Sequence, residues 1–129
     1  MDQYRAEFAL QKIRLFSTRD ARQQKEFRSY VSGLPAMIHM KGLGQAMAFC
    51  LSRNAAPYEF LYRVLSEWLC QNEHGRIYHD QGLDLMVALT QDTMSKYMSA
   101  QVEAQELLLF LKKFAVAYLD NNCNQQAGG

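Results

Sequence analysis

Between Pro57 and Leu69 the apolar residues recur three or four apart. Tyr58, Leu61, Tyr62, Val64, Leu65, Trp68 and Leu69 fill one wide side of a 3.6-residue helix. Glu59, Arg63, Ser66 and Glu67 take the opposite side, and Pro57 suits a first helical turn, where its missing N–H breaks no intrahelical bond. A face that broad must be covered by other helices. Nothing elsewhere offers strands: the chain has no run of period-two alternation, no hairpin signal and no internal repeat. The expected fold class is all-α, a compact bundle of about six helices. Residues 1–119 form a single helical domain, and the polar tail 120–129, ending in Gly-Gly, reads as disordered.

The remaining helices follow from periodicity and punctuation. Residues 2–17 carry Tyr4, Phe8, Ile13, Leu15 and Phe16 on one broad side. Asp20 closes the break at 17–20 and can cap the next helix, about 20–32. There Phe27, Tyr30 and Val31 cluster, while Arg22, Lys25 and Arg28 form a basic ridge on the other side. Pro35 then suits the start of a short separate helix, with Gly42 as its stop and Gly44 allowing a close backbone approach. Pro35, Gly42 and Gly44 together read as a structural hinge. A nearly all-apolar helix spans Leu43 to about Arg53. The polar loop from Gln71 to Gln81, containing Gly75, is expected to be the most mobile segment. Asp80 is expected to cap a short helix with Leu83, Met86, Val87 and Leu89. The last helix runs from about Thr93 to Leu119, and its second half is apolar almost all round except for Lys112 and Lys113. Such a helix is central or covered by a partner.

At 129 residues the chain can bury a substantial core. No apolar run approaches the roughly 20 residues a membrane helix needs, and the N-terminal residues lack a signal-peptide core. Three cysteines, Cys50, Cys70 and Cys123, are odd in number and follow no framework spacing. They are expected to be reduced thiols in a cytoplasmic protein. The net charge of +1 conceals an asymmetry: residues 1–63 hold ten Lys/Arg against five Asp/Glu, a net of +5, and residues 64–129 hold four against eight, a net of −4. One basic half and one acidic half fit a nucleic-acid-facing side and a different second surface. Uneven but inert solvated charge fits equally well.

Few residues are arranged for catalysis. Gly42-x-Gly44 lacks the third glycine of a dinucleotide fingerprint, the Gly-Lys-Ser/Thr of a phosphate loop and a preceding strand. As a helix-turn-helix it fails because Leu43 to Arg53 offers mostly Ala, Met, Phe and Leu to a groove. Cys70-x3-His74-x4-His79 has ligand types at usable spacing, but a fourth ligand would have to come from Asp80, Cys50 or Cys123. His79-Asp80 belongs to no nucleophile motif. The expectation is a non-enzyme with no metal, cofactor or small-molecule substrate.

Two blocks carry a family resemblance. Leu34-Pro35-x-x-Ile38, Gly42-Leu43-Gly44-Gln45 and Ala46-x-Ala48-Phe49 form the first. Glu103-Ala104 with Phe110-Leu111-Lys112-Lys113-Phe114-Ala115 forms the second, preceded by Asp92 and Tyr97. Together they resemble the small all-helical subunit of the type III-B (Cmr) CRISPR effector complex. Phe110 stands where that family usually has tryptophan, and Lys113 where it has arginine. The resemblance implies a non-catalytic subunit of an RNA-guided antiviral defence complex, stacked in copies and helping to position target RNA along the guide. The implied partners are other Cmr subunits, further copies of the chain, and the duplex of target and guide RNA, with no membrane. Arg22, Lys25, Arg28, Lys41, Lys112 and Lys113 are the candidate RNA-binding residues, although the first three lie outside the matched motifs. The residues themselves leave room for surface cations in weak ion pairs such as Arg22–Glu26. Aromatic residues fall on apolar helix faces and read as core, not as stacking platforms. The competing reading is a helical protein-interaction adaptor without nucleic acid.

Overall fold

The computed structural model describes residues 2–79 and 84–119. It contains α1 (Asp2–Phe16), α2 (Ala21–Lys41), α3 (Leu43–Ser52), α4 (Ala56–Cys70), α5 (Leu85–Gln91) and α6 (Met94–Tyr118), with no strand among the described residues. The all-α bundle expected from periodicity is therefore present. Helix α6 packs along α1 on one side and α2 on another, and α4 closes the core against α2 and α3. Each of the five longer helices contributes a fully buried stripe: Ile13 and Phe16, Phe27 and Val31, Met47 and Cys50, Leu61, Leu65 and Trp68, and Leu107, Leu108 and Leu111. Phe16 lies at the centre of an aromatic cluster, 4.7 Å from Phe27 and 4.8 Å from Phe60 between ring centroids. Burying each such side chain contributes about 1.5–3 kcal/mol.

Most helix ends obey their sequence signals. The Asp20 carboxylate accepts from the Gln23 N–H at 2.8 Å, and Thr93 Oγ1 accepts from the Lys96 N–H at 3.2 Å. Pro57 occupies the first turn of α4. Pro35 is different. The expected break before it does not occur; α2 runs through it as one helix of 21 residues. Leu34 and Ile38 lie on either side of it and are both buried, so an unbroken helix keeps the Phe27–Val31–Leu34–Ile38 stripe on the core. An interior proline costs about 3 kcal/mol, which burial of two such side chains offsets. The Pro35 carbonyl also accepts a hydrogen bond from Gln105 Nε2 of α6 at 3.0 Å.

The turn belongs to Gly42. Its φ of 91° is open to glycine and strained for other residues; its N–H ends α2 on the Ile38 carbonyl, and its carbonyl starts α3. No side chain of α3 caps that start. Two side chains of α6 do so: Gln101 Oε1 accepts from the Leu43 N–H at 2.9 Å, and Tyr97 Oη from the Gly44 N–H at 2.7 Å. A Cβ on Gly44 would come within 3.2 Å of that phenol oxygen. The close approach expected at Gly44 is thus an approach to Tyr97.

The loop after α4 also departs from expectation. Through residue 79 it is packed: Tyr78 is buried, and the Ile77 and Tyr78 N–H groups both donate to the Leu69 carbonyl. Gly75 lies flat on Trp68, where a Cβ would stand 2.1 Å from the indole ring. His74 stacks on Tyr4 of α1 at 3.6 Å between centroids. The expected cap Asp80 and Leu83 lie outside the described residues, as do Cys123 and the rest of the tail. Asp84 takes the N-cap position of α5, and its carboxylate accepts from Tyr62 Oη at 2.6 Å.

Candidate nucleic-acid interface

Helices α2 and α6 run in opposite directions: Gln101 of α6 meets Leu43 just past the end of α2, and Gln105 meets Pro35 within it. At the far end of this pairing they part around Val116. A groove of about 520 Å³ opens there between Lys25, Arg28, Ser29, Ser32 and Gly33 of α2 and Val116 of α6. Val116 also borders a second depression, about 330 Å³, lined by Leu109, Lys112 and Lys113. Four of the six predicted cations therefore line two depressions that share one exposed valine, from two helices far apart in sequence. Arg28 is half-buried, and its Nε finds no acceptor.

The other two stand apart. Arg22 lies one helical turn before Lys25, largely exposed, with Glu26 at 3.7 Å. Lys41 ends α2 about 20 Å along the axis from Arg28, by the 1.5 Å rise per residue. Two other cations of the basic half are absorbed by the fold. Lys12 pairs with Glu67 at 2.7 Å, and Arg19 lies over the Phe16 ring at 5.0 Å.

Arg5, which carried no sequence signal, is the anchor of a shielded network. Its Nε and Nη2 donate to the two oxygens of Glu103 at 2.6 and 2.9 Å, and Trp68 Nε1 donates to Glu103 at 2.9 Å. The fork to Glu103 raises the Arg5 pKa further, against the opposing effect of burial. Glu103, singled out as part of a motif, is a structural carboxylate.

Aromatic placement divides. Phe8, Phe16, Phe27, Phe60, Tyr62 and Trp68 are core, as expected, and Tyr78, in a loop expected to be mobile, is core as well. Tyr30, Phe49 and Tyr58 are only half-buried and gather on the other flank of α2. Tyr30 and Tyr58 stack at 3.7 Å between centroids, Phe49 meets Tyr58 edge-on at 5.5 Å, and the Arg53 guanidinium lies 5.6 Å from the Phe49 ring centre. Burial pushes the Tyr58 pKa up, keeping its phenol protonated.

The candidate metal spacing does not converge. Cys70 is buried on α4 with its thiol pushed up to about 11 by burial, while His74 faces Tyr4 and Glu73. Among the described residues no three His, Cys, Asp or Glu side chains gather as metal ligands. Burial likewise pushes Cys50 up to about 11, so neither thiol is a ready thiolate.

These features define a small all-α bundle with a basic groove between its second and last helices. The family model described as CRISPR-associated protein (Cas_Cmr5) matches residues 1–118, and the chain belongs to that family. It is thus a subunit of a type III-B CRISPR effector complex, assembled with other Cmr subunits. The fold is similar to the X-ray crystal structure of a CRISPR-associated Cmr5 family protein from Thermus thermophilus. The two share 25% identity with a TM-score of 0.74, covering 92% of this chain and 97% of that one. The two sequence blocks that carry the resemblance touch each other here through Gly44–Tyr97, and Gln105, next to Glu103-Ala104, holds Pro35 of the first. No described helix is long and apolar enough to cross a membrane.

Proposed function

We propose that this subunit is non-catalytic and positions RNA through its phosphates, along the groove lined by Lys25 and Arg28 of α2 and the adjoining depression lined by Lys112 and Lys113 of α6. The convergence of these four cations around Val116 carries the reading. Such contacts hold a backbone in place without reading bases, so sequence specificity is left to guide pairing. Arg22 and Lys41 flank the groove along α2 and add weaker, more screened contacts to the same strand. Copies stack along the RNA, and each adds phosphate contacts, so avidity exceeds the affinity of a single subunit.

The test is the salt dependence of RNA binding by the assembled complex. For single strands the slope of log affinity against log salt is about −0.7 per phosphate neutralised. Replacing Lys25, Arg28, Lys112 and Lys113 by alanine is expected to flatten that slope and weaken target binding at least tenfold, with helicity unchanged. Unaltered affinity and slope would overturn the assignment.

A second reading has its own observation. Met98, Val102, Leu109 and Val116 are all exposed on α6, and the last three fall within about 40° of one another around the helix, opposite Leu107, Leu108 and Leu111. An apolar stripe of this kind serves protein contact. Loss of complex assembly, with RNA binding by the free subunit intact, in a Val102→Ser, Leu109→Ser variant would support a docking role for α6.

A further inference from the structure

We infer that the aromatic depression formed by Tyr30, Phe49 and Tyr58 receives one unpaired base of the RNA strand whose phosphates lie in the basic groove. This rests on the RNA-positioning reading and extends it from backbone to base. The depression has a volume of about 230 Å³, below the roughly 300–1,000 Å³ of drug-sized sites and on the scale of one planar ring. Leu34 and Met37 complete its apolar lining. Its neighbour across the α2 ridge is the groove of Lys25 and Arg28, and both depressions have Ser29 and Gly33 as walls. A nucleotide offers the matching pair of groups, an anionic phosphate and a flat ring. An apolar side chain from a protein would match only the aromatic half.

Gly33 is the second observation. It lies inside α2, where glycine is less favourable than alanine, yet a Cβ there would meet nothing within 4 Å. Packing within the chain gives no reason for a missing side chain. The open space lies on the ridge between the two depressions, where a strand must pass to place a phosphate on one side and its base on the other. Arg28 supplies a guanidinium whose Nε finds no acceptor, and Arg53 sets a cation beside the rings, as base-stacking sites do. A base inside a continuous A-form duplex cannot enter such a depression, so the nucleotide is unpaired.

The test compares an oligouridylate dodecamer with an abasic ribose-phosphate dodecamer, binding to the full chain at low salt. The expected result is about tenfold tighter binding of the oligouridylate, in line with the stacking of one base. Tyr58→Leu should abolish this preference while leaving the salt slope unchanged. Gly33→Leu, which suits a helix and projects into open space, should do the same in a folded protein. A 4-thiouridine-substituted strand should photo-crosslink within residues 29–41 or 54–63. Equal affinity for the two oligomers, or full preference retained in both variants, would overturn the base site, leave the phosphate reading standing and assign the depression to a protein neighbour's side chain. A chain that binds neither oligomer would overturn both.

Discussion

The two ends of the α2–α6 pairing are built from the same helices and obey opposite rules. At the Gly42 end the polar groups between the helices are paired. Tyr97 and Gln101 take two N–H groups in the first turn of α3, and Gln105 takes a carbonyl of α2. On the α1 side of α6, Glu103 is satisfied by Arg5 and Trp68. At the Val116 end the helices part, four cations gather, and a buried guanidinium nitrogen of Arg28 is left without an acceptor. One end holds the fold and the other leaves capacity for a ligand. Polar residues stabilise a protein where they are paired and shielded, and serve recognition where like charges cluster at an open surface.

Breaking the paired side should cost most. Glu103→Ala leaves the Trp68 N–H without its acceptor and Arg5 with only the exposed Asp2 carboxylate, so the cost should be about 3 kcal/mol, the lower end of the range for removing one partner of a shielded pair. Urea denaturation followed by circular dichroism reads this directly; a loss below about 1 kcal/mol would show that the network is ornamental. Gly75→Ala should follow, since its Cβ would overlap the Trp68 indole, and overpacking costs about 1–3 kcal/mol. The same melts would show whether the loop or the indole yields; an unchanged midpoint would mean that the loop is not docked. Tyr97→Phe removes one acceptor from the Gly44 N–H and should cost about 1–2 kcal/mol. The smallest stability effect belongs to the open side. Replacing Lys25, Arg28, Lys112 and Lys113 together by alanine should leave stability within about 1 kcal/mol of the parent, because surface charges contribute little. Its effect should appear in RNA affinity. A large fall in stability would erase the contrast between the two ends.

Legibility in the sequence followed the range of the interactions. Helix identities and most caps depend on neighbours within four residues, and Asp20, Thr93, Pro57 and Gly42 behave as their local chemistry requires. Pro35 misled because its local preference for a helix start is weaker than the burial gained on both sides of it. The loop with Gly75 looked mobile because its residues are polar, yet its order comes from Trp68, Tyr4 and the Leu69 carbonyl. Lys25, Arg28, Lys112 and Lys113 were each visible as cations. Their meeting was not visible, since nothing in residues 25–28 encodes proximity to residues 112–113. Tyr30, Phe49 and Tyr58 are half-buried at the rim of the core, a distinction that periodicity cannot make along an apolar helix face.

What the sequence by itself determined is the all-helical class, the positions of most helix ends, the apolar stripe of each helix and, through two motif blocks, the family to which the chain belongs. Those features arise from periodicity, capping and local residue types, which act over a few residues. The tertiary structure alone decided that Arg5 would hold Glu103, that Tyr97 would meet Gly44, and that two basic segments would flank one valine beside an aromatic depression. Each of these joins residues that lie on different helices, far apart along the chain. Only the packing of one helix against another brings such residues within reach.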